Sequence, residues 1–243
     1  MSSALGKFGT SIWLDDLSRA KITGTDTHSL PHRIKNDGVV GVTTNPSIFS
    51  AAISGSQDYA ADIAALKGAT VDEVITKLTT DDVRQACDLF TDIYQSTKGV
   101  DGRVSIEVDP RSAHETEKTI SEGLALYKTI GRPNVMIKVP ATLAGLPAIT
   151  ALIAAGVSVN VTLIFSLERY DAVISAFMVG LEERIARGES ISDIHSVASF
   201  FISRIDTAID PLLDKSGHSD LRGKTAVANA RLAYELFLGR VAS

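Results

Sequence analysis

The tightest constraint on this chain is an alternation repeated in three short apolar runs. Val104-Ser105-Ile106-Glu107-Val108-Asp109 sets aliphatic residues against polar ones at period two, and Val157-Ser158-Val159-Asn160-Val161-Thr162-Leu163 repeats the pattern. Val135-Met136-Ile137-Lys138-Val139-Pro140 keeps its β-branched residues on one parity and Met136, Lys138 and Pro140 on the other. Side chains along a strand point alternately to opposite faces. Each run therefore has one β-branched face and one face that carries functional groups. Further strands are expected over residues 11–17, 39–46 and 195–201.

Between the strands the period is helical. Leu30 and Ile34 mark a helix over 27–37. The stretch 47–98 reads as extra helices at 59–66, 71–78 and 83–94, with Ala86, Leu89, Phe90 and Ile93 as an apolar stripe. Later helices are expected over 111–130, with Ile120, Leu124 and Tyr127 inward, over 146–155, from the cap Ser166 to 187, and over 221–237.

Strands alternating with helices form a parallel sheet. In an open doubly wound sheet both strand faces pack on helices and both are apolar. Here one face is polar, which a closed α/β barrel accounts for: aliphatics pack on the outer helices and the other face looks inward. The expected fold is a (β/α)8 TIM barrel with extra helices, as a single domain over 1–243. Its active site belongs at the C-terminal strand ends. Asp15, Asn45, Glu107, Lys138, Asn160, Thr162 and Ser199 all lie late in their strands. Only six strand candidates are found, where such a barrel has eight. The last two βα units are thus expected to be missing, and the chain to be the N-terminal portion of a longer protein. Alone it would expose two strand edges and dissolve poorly.

Several function classes are excluded. The net charge is −5 with no Lys/Arg-rich run, so nucleic acid is not an expected partner. No apolar run approaches the roughly 18 residues of a membrane span, and the N-terminus lacks a signal pattern. One cysteine, Cys87, fits a reducing, cytoplasmic setting and a packing role. His114 and His195 lack ligand spacing and are expected at the surface, so no metal is expected.

Chemistry centres on Lys138. Removal from water favours a lysine's neutral amine, which can form a Schiff base with a carbonyl. A lysine taken alone reads more readily as one that escapes to the strand end or pairs with an acid. Carboxylates and hydroxyls at the same barrel mouth favour aldol chemistry, in which the amine attacks a ketone, a general acid assists loss of water, a base takes a hydroxyl proton and the iminium accepts the electrons. Parity puts Asp15 on the functional face and leaves Asp16 as a cap or turn acid. Trp13 is expected to pack, and Asp109 to turn the chain at Pro110.

Five ordered motifs sharpen this reading: Gly41-Val42-Thr43-Thr44-Asn45-Pro46-Ser47-Ile48-Phe49, Ser105-Ile106-Glu107-Val108-Asp109, Met136-Ile137-Lys138-Val139-Pro140-Ala141-Thr142 with Gly145-Leu146, Asn160-Val161-Thr162-Leu163-Ile164-Phe165-Ser166, and Ser199-Phe200-Phe201-Ile202-Ser203-Arg204-Ile205-Asp206. With them the chain, from about Phe8 onward, closely resembles the transaldolase family in an actinobacterial-like form. The resemblance implies that Lys138 forms the Schiff base with a ketose phosphate and that Asp15 carries the proton of the C4 hydroxyl. It assigns the imine water to Glu107 and Thr162, the dihydroxyacetone hydroxyls to Asn45 and Asn160, and the phosphate to Ser199 and Arg204. A second phosphate-binding arginine would lie beyond this sequence. Phe201 would sit near the imine water; a tyrosine there is associated with related fructose-6-phosphate aldolases, so Phe201 points to the transferase. The implied activity moves a dihydroxyacetone group from fructose 6-phosphate or sedoheptulose 7-phosphate to erythrose 4-phosphate or glyceraldehyde 3-phosphate, in the pentose phosphate pathway. It needs no cofactor and is expected of a monomer or homodimer. The alternatives are an aldolase releasing free dihydroxyacetone and an inactive sugar-phosphate-binding fragment.

Overall fold

A computed structural model describes residues 5–242. The chain divides into two units, Met1–Pro110 with Ser121–Lys138, and Arg111–Ile120 with Val139–Ser243. In the first unit β1 (Ile12–Asp15), β2 (Val39–Thr43), β3 (Arg103–Glu107) and β4 (Val135–Pro140) pair in sequence order, all parallel. Asp15 lies opposite Thr43, Thr43 opposite Ser105, and Glu107 opposite Lys138, so β1 and β2 end level while β3 and β4 run further. Val42, Val104, Ile106, Val135 and Ile137 form the aliphatic core, and Ser105 and Lys138 are buried on the other parity.

The connections are set by caps. Ser18 caps α1 (Arg19–Thr23), Ser29 caps α2 (Leu30–Asn36) and Asn45 caps α3 (Pro46–Ser54), whose proline occupies the first turn. α4 (Ala60–Ala65) follows, and a reciprocal Thr70–Glu73 capping box opens α5 (Val71–Leu89). α5 is one continuous helix where two shorter ones were expected, and α6 (Thr91–Ser96) follows a break at Phe90. Ala86 and Phe90 are fully buried, whereas Leu89, expected on the same stripe, is 37% exposed. β3 stops at Glu107 and a tight turn at Pro110–Ser112 delays α7 (Thr116–Ile130). α7 buries Thr119 and Ile130, whereas Leu124, expected inward, is 38% exposed. The five-residue α1 was not anticipated, being too short to show a period.

α1 is held by a buried network. Asp82 of α5 has no exposed surface. It accepts from Arg19 Nε at 3.1 Å, Arg19 Nη2 at 3.0 Å and the Tyr59 hydroxyl at 2.7 Å. The Arg19 backbone N–H donates to the Tyr59 oxygen at 2.9 Å, its guanidinium lies 4.6 Å from the Tyr59 ring centre, and Asp62 also pairs with it. On β2, Gly41 leaves room for the Trp13 indole; a Cβ there would sit 2.6–2.8 Å from ring atoms.

The second unit runs α8 (Gly145–Ala154), β5 (Val159–Ile164), α9 (Leu167–Ala186), β6 (Ser196–Phe200), α10 (Ser203–Lys215) and α11 (Thr225–Ala242), with β5 and β6 parallel. Ser166 caps α9 as expected. α10, which contains Pro211, was not anticipated, and α11 starts later and runs further than the expected 221–237 because Ser219–Leu221 forms its own tight turn. Val157 and the β5 valines are buried. Leu163, which ends the expected strand run, is 36% exposed, because the strand bulges there. His195 is half-buried, and its backbone N–H donates to Ser158 Oγ at 3.1 Å. Parallel strands alternating with helices give the α/β, TIM-barrel-like class that the sequence pattern implied.

Candidate active site

Glu107 and Lys138 are register partners on adjacent strands, so their side chains leave the same face. Lys138 Nζ stands 3.3 Å from Glu107 Oε2, with the two side chains only 8% and 10% exposed. It also donates to the Thr44 carbonyl at 3.1 Å, and the Thr44 hydroxyl donates to the Ser105 carbonyl at 2.7 Å. A nearly buried ammonium is tolerable only with such a counter-charge and acceptor. The same carboxylate is within proton-transfer reach of any adduct formed on the amine.

Asp15 ends β1 and is exposed. It lines an open groove of about 530 Å³ with Asp16, Ser18, Lys21, Asn45, Ser47 and Ile48. The two neighbouring acids differ in surroundings: Asp16 is paired with Lys21 on α1. Partial burial, with Arg33 adding repulsion, lowers the Lys21 pKa below its ordinary value. Asn45 Oδ1 accepts the Ile48 N–H at 3.0 Å as the cap of α3, so its amide NH₂ is the part suited to a ligand. Lys138 is not among the residues that line this groove.

In the second unit Asn160 and Thr162 are buried on one parity of β5. Ser199 Oγ donates to Asn160 Oδ1 at 3.0 Å, and the Thr162 carbonyl accepts the Ala141 N–H at 2.8 Å. Arg204, in the first turn of α10, is exposed, with its guanidinium 4.8 Å from the Phe201 ring centre. Asp206 instead accepts the Ala226 N–H at 3.3 Å, and among the described residues no ion pair joins it to Arg204. The structure thus gathers Lys138 and Glu107, sets Asp15 and Asn45 in one groove, and joins Ser199 to Asn160. Sequence reasoning missed the Thr44 carbonyl, Lys21 and Phe165, which stacks on Phe201. A main-chain acceptor leaves no mark in sequence, but Lys21 beside two acids was a legible signal.

Cys87 is buried, and burial pushes its thiol pKa well up, which suits packing rather than chemistry. Among the described residues no group of His, Cys, Asp and Glu could hold a metal ion, and no helix is long and apolar enough to cross a membrane.

Comparison with known proteins agrees with these motifs. The family model described as transaldolase/fructose-6-phosphate aldolase matches residues 12–240. The transaldolase of Mycolicibacterium smegmatis is 55% identical over 240 residues, 97% of this chain and 64% of that protein. The transaldolase of Mycobacterium tuberculosis H37Rv shows the same identity and coverage. That of an Arthrobacter species is 56% identical over 238 residues, 96% of this chain and 63% of its own length. The chain thus spans about 64% of the length of the curated relatives it matches.

Proposed function

The chain belongs to the transaldolase/fructose-6-phosphate aldolase family, and on that premise we propose that it serves transfer of a dihydroxyacetone group between sugar phosphates. The donor is fructose 6-phosphate or sedoheptulose 7-phosphate, and the acceptor erythrose 4-phosphate or glyceraldehyde 3-phosphate. It works in the cytoplasm, as a monomer or homodimer. The observation that carries this reading is the nearly buried Lys138 amine 3.3 Å from Glu107.

Lys138 passes its proton to Glu107 and attacks the C2 ketone as the free amine, giving a carbinolamine that loses water to become an iminium. Glu107 supplies and recovers the proton for that water, with Thr162 holding it. Asp15 takes the C4 hydroxyl proton; the C3–C4 bond breaks, C4 leaves as an aldehyde, and the electron pair is held as an enamine on Lys138. The acceptor aldehyde then adds by the reverse steps, and water releases the new ketose. Asn45 and Asn160 bind the dihydroxyacetone hydroxyls, Ser199 and Arg204 the phosphate, Arg204 through its planar fork. Phe201 borders the imine.

Borohydride with fructose 6-phosphate tests the first step. Mass spectrometry should find a reduced adduct on Lys138 and none in Lys138→Ala. Trapping that persists in the variant places the nucleophile elsewhere. Adding erythrose 4-phosphate should yield a seven-carbon ketose phosphate; free dihydroxyacetone regardless of acceptor would assign the aldolase reaction instead.

A further inference from the structure

The end of β5 carries a device that the reaction scheme leaves unused. Val161 pairs with Ala198 and Ile164 with Phe200, so β5 contains one residue more than β6 over the same span. Within that span Leu163 has φ 62°, a left-handed conformation disfavoured for any residue with a Cβ. An inserted residue inverts the face pattern beyond it. Without the bulge, Ile164 would follow Asn160 and Thr162 onto their face, and Phe165 would follow Val159 and Val161. With it, Ile164 pairs with Phe200 on the face of Val161 and is fully buried. Phe165 comes round to the parity of Ser199 and Phe201.

The Phe165 and Phe201 rings stack there, with centres 5.2 Å apart and planes at 28°. Arg204 lies over Phe201 at 4.8 Å. Asn229 Nδ2 donates to the Phe165 carbonyl at 2.9 Å and holds the segment. Phe165 is 40% exposed, so the stack is not explained by core burial. We propose that the Leu163 bulge and the Phe165 ring are positioning elements that hold Arg204, through Phe201, for the phosphate of the sugar ligand. This rests on the reading of Arg204 as a phosphate ligand.

Calorimetric titration of the full chain with fructose 6-phosphate and with fructose gives a preference ratio that a general loss of structure does not move. The unaltered chain should prefer the phosphorylated sugar, and Arg204→Ala should lose most of that preference. Phe165→Leu should lower the ratio by about threefold, the scale of a weakened cation–π contact, with fructose affinity unchanged. Leu163→Gly, which adopts a left-handed backbone freely, should keep the ratio, and Leu163→Val, whose branched Cβ resists it, should lower it. A ratio lost in Arg204→Ala but kept in Phe165→Leu overturns this inference and leaves the phosphate reading standing. A ratio unmoved by Arg204→Ala, or no preference in the unaltered chain, overturns both. If Phe165→Leu does not fold, equal ratios in Leu163→Gly and Leu163→Val overturn the inference.

Discussion

Tyr59→Phe removes a single oxygen atom and tests how α1 is held. That oxygen donates to the fully buried Asp82 at 2.7 Å and accepts the Arg19 N–H at 2.9 Å. A hydrogen bond to a charged group contributes about 1.5–3 kcal/mol, and a buried donor left without an acceptor costs about 1–3 kcal/mol. The ring stays, so the Arg19 stack is kept. The expected loss is about 2.5–6 kcal/mol, which for a chain of this size lowers the melting temperature by about 5–24 °C. Urea unfolding should show a lower midpoint with an unchanged slope. Tyr59→Phe and Asp82→Asn should combine sub-additively, since they share one hydrogen bond.

The pH dependence gives an independent check. Burial, then the bond to Asp82, pushes the Tyr59 pKa well up. An unfolded tyrosine loses its proton near about pH 10. The folded state keeps that proton, so this contribution is whole below about pH 10 and fades as pH rises toward the folded pKa. The variant should lack that decline. A Tyr59→Phe chain within about 0.5 kcal/mol of the original, with the same alkaline profile, would refute the reasoning.

Two further substitutions probe other features. Asp15→Asn should form the borohydride adduct normally but slow C–C cleavage about 10²–10⁴-fold, because an amide cannot accept the hydroxyl proton. Asp16→Asn, which only frees Lys21, should not; the opposite pattern would exchange the two roles. Gly41→Ala would place a Cβ 2.6–2.8 Å from the Trp13 indole, costing about 1–3 kcal/mol as the ring is displaced. Trp13 is the single tryptophan, so an unaltered emission spectrum and stability would contradict that packing.

What could be read in the sequence follows from the range of the signals. Period-two alternation is local, so it placed β3, β4 and β5 and put Glu107 and Lys138 on one face before any contact was known. Ser166 carries cap chemistry within three residues and was legible, whereas Asn45 reads as a strand-end ligand residue and its cap role emerges only from the fold. The clasp of Arg19, Tyr59 and Asp82 joins residues far apart in sequence, and no periodicity announces it. α1 is too short to show a period, and Pro211 hides α10. Leu163 misled for a different reason. Leucine is an ordinary strand residue, and nothing in its identity signals a left-handed backbone.

The acceptors around Lys138 differ in their vulnerability to inheritance. Glu107 is a side chain, and one codon change deletes its carboxylate. The Thr44 oxygen at 3.1 Å belongs to the main chain, and no coding change at position 44 removes a carbonyl. Such a change can only displace it, by removing the hydroxyl that donates to the Ser105 carbonyl. Of these two contacts, variants that remove the carboxylate at 107 should be null alleles, whereas serine at 44, which keeps the hydroxyl, should persist in a population as a neutral polymorphism.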